Sequence, residues 1–238
     1  MPTIAIIGAG PGLGLAIART FGSHGFDVAL VARNKAKLDD LVAQLSNEGV
    51  TAAAFPADVL DRPALTQAIQ AAQEHFGGIE VLEYSPVDKA PGGTILTLPS
   101  ESTPEDIQGQ IEAQLYGAIA ATQAVLPAMR AAGAGTLLFT TGAGSVDPVP
   151  QVGNVNAAAA ALRNWAINLN KELAETGVYA AHVGIDVSID VSVIPDFPVA
   201  PASEIAEAYW DLHNKRDKGE FIFTKKPTIE SLDLPYLP

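Results

Sequence analysis

The sequence predicts an α/β protein built on a single doubly wound parallel sheet of about seven strands, with helices on both faces. Three observations carry this. Short apolar runs alternate with longer stretches of helical periodicity, and a strand with no polar face must be covered on both sides. The first run leads directly into a glycine-rich turn and then an apolar-striped helix. The chain has 238 residues, within the ~200–250 residues an α/β unit reaches as one domain, and no linker or repeat divides it.

The elements follow in order. Thr3–Ile7 is a buried-strand run. Gly14–His24 is a helix, with Leu15, Ala16, Ala18 and Phe21 on related turns. Val28–Val31 is the second strand. Lys35–Asn47 places Leu38, Leu41, Val42 and Leu45 at helical spacing. Ala52–Phe55 is strand-like. Asp61 can cap a helix over Pro63–Phe76, because its carboxylate accepts from first-turn amides and proline has no amide to satisfy there. Glu80–Tyr84, Thr136–Thr140 and Val178–Ile185 complete the central strands, separated by two long helices, Pro104–Ala132 and Gly153–Thr176. Ala157–Ala161 is a tightly packed face of the second. Asp186–Ser203 has no helical pattern and several prolines, and reads as a loop over the strand ends. Glu204–Leu212 is a shorter helix and Glu220–Thr224 the last strand. Asp233–Pro238 is a short apolar tail, read as laid on a neighbouring subunit. Right-handed crossovers then wind the sheet in both directions.

Composition narrows the function classes. Fourteen Lys and Arg against 27 Asp and Glu leave a net charge of −13 and a pI near 4.6. Phosphate backbones and anionic membrane surfaces are bound by clustered cations, so neither nucleic acid nor membrane is an expected partner. With no cysteine, disulfides, thiolate catalysis and Cys-ligated metals drop out. The four histidines, at 24, 75, 182 and 213, lie on different elements, so no metal site is expected. No Gly-x-Ser-x-Gly nucleophile turn occurs. Hydrophobic residues make up 48% and charged residues 17%, which fits a packed globule rather than a disordered chain. No stretch has the ~20 apolar residues of a membrane helix. Ile4–Phe21 is mostly apolar, but no Lys or Arg precedes it and five of its residues are Gly or Pro. It is therefore not read as a signal peptide, and the expected location is the cytoplasm.

Chemistry enters at Gly8-Ala-Gly10-Pro11-Gly12-Leu13-Gly14, between the first strand and the first helix. Glycines there let the backbone turn tightly and approach a pyrophosphate seated at the positive end of the helix. The spacing is not G-x-G-x-x-G from Gly8, since position 13 is Leu; Gly8, Gly12 and Gly14 give G-x-x-x-G-x-G. The next strand ends Val31-Ala32-Arg33-Asn34. Dinucleotide sites for NAD place an acid here on the ribose hydroxyls. This chain has Ala32 with Arg33 beside it, and a guanidinium pairs with a phosphate, so NADP is expected over NAD.

The G-x-x-x-G-x-G turn resembles that of the short-chain dehydrogenase/reductase family. So do Ala57-Asp58-Val59 after the third strand, Thr122-Gln123-Ala124-Val125-Leu126-Pro127-Ala128-Met129 at a long-helix end, and the short helix Ala206–His213. The resemblance runs from Thr3 to about Ile222. It implies a Rossmann-type fold, with residues 1–238 a single dinucleotide-binding domain and a short tail. It places cofactor on Gly8, Gly10, Pro11, Gly12, Leu13, Gly14, Arg33, Asn34, Asp58, Val59, Ser85, Pro86 and Ile185. The two long helices resemble the family's dimer-forming pair, so a homodimer or homotetramer is expected, with a small-molecule substrate.

The family's catalytic Asn, Ser, Tyr and Lys fall on Gln114, Gly142, Val155 and Ala159, and all four are changed. Residues 146–170 contain neither Tyr nor Lys. The family's Asn-Asn-Ala-Gly is Tyr84-Ser85-Pro86-Val87, and its Pro-Gly after the sixth strand falls at Ile185-Asp186. His182-Val-Gly-Ile-Asp186 looks like a variant found in some branches. Polar groups left at the strand ends are Tyr84, Ser85, Asp88, Thr140, Thr141, Ser145, Asn154, Asn156 and Asp186. A hydride transfer needs a proton partner within reach, and Tyr84, Thr141 and Asn154 are the candidates. His182, inside a strand, reads as a core histidine. Glu83, inside an apolar strand, reads as a carboxylate held by structural hydrogen bonds. Three readings stay open: an NADP-dependent oxidoreductase with a rebuilt proton-transfer site, a non-catalytic nucleotide-binding sensor or partner subunit, and non-redox chemistry in the vacated pocket.

Overall fold

The computed structural model describes residues 1–87, 96–192 and 195–225. Among them, seven parallel strands form one sheet: β1 (Thr3–Ile7), β2 (Asp27–Ala32), β3 (Ala52–Pro56), β4 (Val81–Tyr84), β5 (Gly135–Gly142), β6 (Val178–Asp186) and β9 (Glu220–Thr224). Their spatial order is β3-β2-β1-β4-β5-β6-β9. The short pair β7 (Ser188–Ile189) and β8 (Val199–Ala200) lies outside the sheet. The helices are α1 (Leu13–Ser23), α2 (Lys35–Asn47), α3 (Arg62–Phe76), α4 (Pro104–Ile111), α5 (Gly117–Ala132), α6 (Gly153–Leu173) and α7 (Ala202–Lys215).

Two apolar layers sandwich the sheet. One gathers Leu15, Ile17 and Phe21 of α1, Leu38 and Leu45 of α2, and Ile205 and Tyr209 of α7 around Ile4, Ile6 and Leu30. The other gathers Leu65 and Ile69 of α3, Val125 of α5 and Leu162 of α6 around Ile7, Leu82 and Phe139. Because strand side chains alternate, β4 sends Glu83 toward the α1–α7 layer and Tyr84 toward α5. Asp61 caps α3 by accepting the Ala64 amide at 3.0 Å.

Three expectations are corrected. The helix foreseen over Pro104–Ala132 is broken by a π-helical turn, Glu112–Tyr116. Tyr84 supplies the cause: its hydroxyl donates to the Ala113 carbonyl, and a Cβ at Gly117 would stand 2.0 Å from that oxygen. A side chain driven into the helical ladder widens it. The segment Asp186–Ser203 is not wholly loop: it carries β7 and β8. The last helix begins earlier than Glu204, at Ala202, where the Asp190 carboxylate accepts the Ala202 amide at 2.8 Å. Asp88 and the tail Asp233–Pro238 lie outside the described residues.

Candidate active site

In an open doubly wound sheet, ligands bind at the carboxyl ends of the strands where the winding reverses. Here β1 leads outward to β2 and β3 on one side and β4 to β5 and β6 on the other, so the crevice opens above β1 and β4. Gly8 ends β1 at φ +98°, and a Cβ there would stand 2.6 Å from the Pro86 Cα and 2.8 Å from the Ser85 carbonyl carbon. The amides of Gly8 and Ala9 both donate to the Val31 carbonyl, at 2.9 and 3.1 Å. The turn is thus clamped to β2 and pressed against the end of β4.

Beyond the clamp the turn is open. Gly12 has no atom within 4 Å of an added Cβ, and Gly10 only a carbonyl oxygen at 4.0 Å; Pro11 is exposed. The α1 helix starts at Leu13 with no side-chain cap and no acid in its first turn. Neither a capping side chain nor a first-turn acid meets the positive end of its dipole, an arrangement that favours an anion. Gly14 lets the helix close on the turn, its added Cβ lying 3.2 Å from the Ala9 Cα.

At the end of β2, the Arg33 guanidinium lies 4.0 Å from the Asp58 carboxylate, both side chains about two-fifths exposed. Asn34 caps α2 by accepting the Lys37 amide, and Asp58 accepts the Leu60 amide. Val59 packs beside Gly117. The carboxyl edge of the sheet therefore gathers the glycine turn with Arg33, Asn34, Asp58, Val59, Ser85 and Pro86. Ile185 ends β6 on the same edge, paired in register with Gly142 of β5.

The sequence profile of the short chain dehydrogenase family matches residues 2–186. The chain belongs to that family. An uncharacterized oxidoreductase of Staphylococcus aureus is 28% identical over 207 residues, 85% of this chain and 87% of its own. Among solved structures, L-sorbose reductase from Gluconobacter frateurii, complexed with NADPH and L-sorbose, superposes with a TM-score of 0.80 at 21% identity, over 93% of this chain and 95% of its own. A short-chain dehydrogenase from Rhodopseudomonas palustris superposes at 0.81 with 24% identity, over 94% and 99%.

In this family member, the positions matched to the catalytic set are arranged as follows. Gln114 lies in the π-helical turn, its amide donating to Gln110 at 3.0 Å. Gly142 is exposed at the end of β5, Val155 half-buried in the first turn of α6, and Ala159 buried one turn on. No acid–base pair stands at these positions.

The three candidate proton partners fare differently. Tyr84 is fully buried with its hydroxyl on the Ala113 carbonyl, and burial pushes its pKa well above the ordinary 10. That placement corrects the expectation of Tyr84 as a catalytic acid: it is a packing residue of the α5 layer. Asn154 is buried and staples α6 to the opposite loop, accepting the Thr97 amide at 3.3 Å and donating to the Asp106 carbonyl at 3.2 Å. Asn156 donates to the Val149 carbonyl. Asp186 accepts from Thr224 at 3.1 Å.

Thr141 sits in a chain of polar side chains. Its hydroxyl lies 2.7 Å from His182 Nε2 and 3.0 Å from the Ser145 hydroxyl. His182 Nδ1 lies 3.1 Å from Glu220 Oε1, and Arg163 of α6 grips Glu220 at 2.9 Å through its second oxygen. The Arg163 hydrogen bond holds the Glu220 carboxyl below its ordinary range. An ionised carboxylate only accepts, so the imidazole proton sits on Nδ1 and Nε2 is left to accept from Thr141. Burial pushes the His182 pKa down to about 4 against the pull of Glu220, so the ring is neutral at pH 7. Strand adjacency assembles this chain: His182 and Glu220 are register partners on β6 and β9. Thr141 was already a candidate in the sequence, where His182 read as a core histidine; Glu220 and Arg163 carried no signal.

A second polar cluster sits on the other face. Glu83, fully buried, accepts from Thr140 at 2.8 Å and Ser85 at 2.9 Å, and Thr140 meets the Tyr209 hydroxyl of α7 at 2.7 Å. Burial raises its pKa to about 7, with the two hydroxyls pulling the other way. Among the described residues no metal-holding cluster occurs, and no helix is long and apolar enough to cross a membrane.

Proposed function

We propose that this chain is an NADP(H)-dependent oxidoreductase acting on a small-molecule alcohol or carbonyl, with Thr141 in place of the family's tyrosine as the hydroxyl that handles the proton. One observation carries the nucleotide reading: an uncapped, acid-free helix N-terminus in open space at the switch point, held against β4 by a glycine that no other residue can replace without backbone movement. The turn fits a pyrophosphate, with Gly10, Pro11, Gly12, Leu13 and Gly14 supplying backbone approach, and Arg33 fits a ribose phosphate. When bound, NADP(H) supplies hydride exchange. The chain's own part is the proton: a substrate hydroxyl at the vacated corner beside Gly142 would give its proton to the Thr141 oxygen as Thr141 gives its own to His182 Nε2, while Glu220 steadies the imidazolium. A neutral histidine favours this outward direction, the one alcohol oxidation needs. The small-residue faces of α5 and α6 support assembly as a homodimer or homotetramer, and the composition supports a cytoplasmic location.

Titration with NADPH and NADH tests the cofactor. Arg33→Ala should weaken NADPH by about 1–3 kcal/mol, the range of a charge-assisted contact, and leave NADH unchanged; equal losses for both would remove Arg33 from the ribose phosphate. For the proton, a panel of simple alcohols and ketones should turn over slowly, since a positioned acid–base group is worth roughly 10²–10⁴-fold and the tyrosine–lysine pair is gone. Thr141→Val should abolish the residual turnover with dinucleotide affinity intact. Turnover that survives this change sends the proton elsewhere, and a wild-type chain that binds dinucleotide but turns over nothing favours the sensor reading.

A further inference from the structure

Glu83 is a buried carboxyl with no cation paired to it among the described residues. Its partners are the hydroxyls of Ser85 on its own strand and Thr140 on β5, with Tyr209 of α7 behind Thr140. The charged and titratable groups on the elements packed around it are spent elsewhere. The one charged residue of α1, Arg19, is exposed and bound to Glu48. On α7, Glu204 pairs with Lys225, Glu207 with Thr20, Asp211 with Lys215 and His213 with Thr136. The neighbours in register are apolar, Ile6 on β1 and Leu138 on β5.

Its position ties it to the glycine turn. Ser85, which donates to Glu83, is with Pro86 the backbone against which Gly8 is pressed. Ile6, the register partner of Glu83, has its Cγ2 3.6 Å from the Cβ position of Gly14 in the first turn of α1. One side chain therefore separates the carboxyl from the helix end where the phosphates of a dinucleotide would sit. Resting on the nucleotide reading above, we propose that dinucleotide binding is coupled to proton uptake by Glu83: the carboxyl gives up its negative charge as phosphate anions arrive at the N-terminus of α1.

The physical reason is like-charge repulsion through a poorly screening medium. A unit charge about 10 Å from another, at an effective dielectric near 20, changes an affinity on the order of tenfold. Relief is at hand because burial already holds the carboxyl near its midpoint at neutral pH, about 7. A proton taken up by binding means affinity falls as pH rises. NADPH affinity should therefore drop about fivefold between pH 7 and 9. The 2′-phosphate does not contribute to this trend, being fully ionised over that range.

Calorimetric titration of the intact protein with NADPH, and with NADH as a probe lacking the 2′-phosphate, at pH 8 in two buffers of different ionisation heat, counts the protons. Wild type should take up a substantial fraction of a proton per dinucleotide. Glu83→Gln should take up none, with affinity flat from pH 7 to 9. Thr140→Val, which removes one hydrogen bond from the carboxylate, should raise its titration and so move both the maximum of proton uptake and the fall of affinity to higher pH; this arm keeps the test alive if Glu83→Gln does not fold. Binding without proton uptake in wild type, or equal uptake in Glu83→Gln, overturns the coupling and leaves the nucleotide reading standing. No binding of either dinucleotide overturns the nucleotide reading and the coupling with it.

Discussion

Gly8→Ala should cost about 3 kcal/mol or more and lower the melting temperature by roughly 10 °C, given ~2–4 °C per kcal/mol for a chain of this size. Two penalties add. A residue with a side chain at φ +98° is strained by about 1 kcal/mol or more. The new Cβ would also stand 2.6 Å from the Pro86 Cα and N. Those are backbone atoms, so no rotamer change relieves the overlap, and overpacking of this kind costs about 1–3 kcal/mol. The end of β4 must move away from β1, and the crevice between them is the expected cofactor site. Dinucleotide binding should therefore vanish even at temperatures where the variant is folded. Gly10→Ala is the control: its added Cβ meets only a carbonyl oxygen at 4.0 Å, so the fold should keep its melting temperature. Thermal unfolding by circular dichroism with NADPH fluorescence reads both effects. A Gly8→Ala protein that melts with wild type would mean the β1–β4 contact is looser than described.

The second large effect is acid destabilisation between pH 7 and 4.5. His182 and His213 are both buried, and burial pushes each down to about 4, whereas an unfolded histidine titrates near 6.5. In that window the unfolded chain binds protons the folded chain refuses, so stability falls as pH falls. Down to pH 4.5 each histidine removes about 2–3 kcal/mol, at about 1.4 kcal/mol per pH unit. Glu83 has the opposite sign. Its folded value of about 7 lies above the ordinary 4.5, so the folded chain holds a proton the unfolded chain releases, and stability rises by about 3 kcal/mol over the same descent. The net loss is about 2 kcal/mol. Glu83→Gln removes the compensation, and its loss from pH 7 to 4.5 should grow to about 5 kcal/mol. Urea unfolding at the two pH values measures both proteins. A wild-type midpoint that does not move, with a steep one for Glu83→Gln, would confirm opposed titrations of equal size; a wild type that gains stability toward pH 4.5, with Glu83→Gln flat, would mean the histidines are protonated in the fold.

The phosphate turn was legible because its signal is local. Gly8, Gly10, Gly12 and Gly14 lie within seven residues of one another, and the conformations they permit are set by their own missing side chains. The order of strands and helices was legible for a similar reason: a continuous apolar run, or an apolar period of 3.6, is a property of neighbouring residues. The Pro104–Ala132 stretch shows where that ends. Its composition is helical throughout, and the π-helical turn Glu112–Tyr116 forms where Tyr84, from a distant strand, reaches the Ala113 carbonyl.

The proton chemistry was not legible, because each part comes from a different element. Thr141, His182, Glu220 and Arg163 sit on β5, β6, β9 and α6. The residues that carry a charge or a proton are visible in the sequence, but the partner that gives a buried group its tautomer or its pKa is chosen by strand order and register. Tyr84 and Glu83 make the point in adjacent positions. A pleated strand sends neighbours to opposite faces, so the tyrosine that looked like an acid was packed beneath α5 and the glutamate that looked structural came to lie under the glycine turn. The sequence by itself determined the doubly wound fold, the glycine turn between β1 and α1 and the lack of Tyr and Lys between residues 146 and 170. Only the tertiary structure decided which surviving groups can exchange a proton, because hydrogen bonds between side chains act over about 3 Å and that proximity exists only once the sheet is assembled.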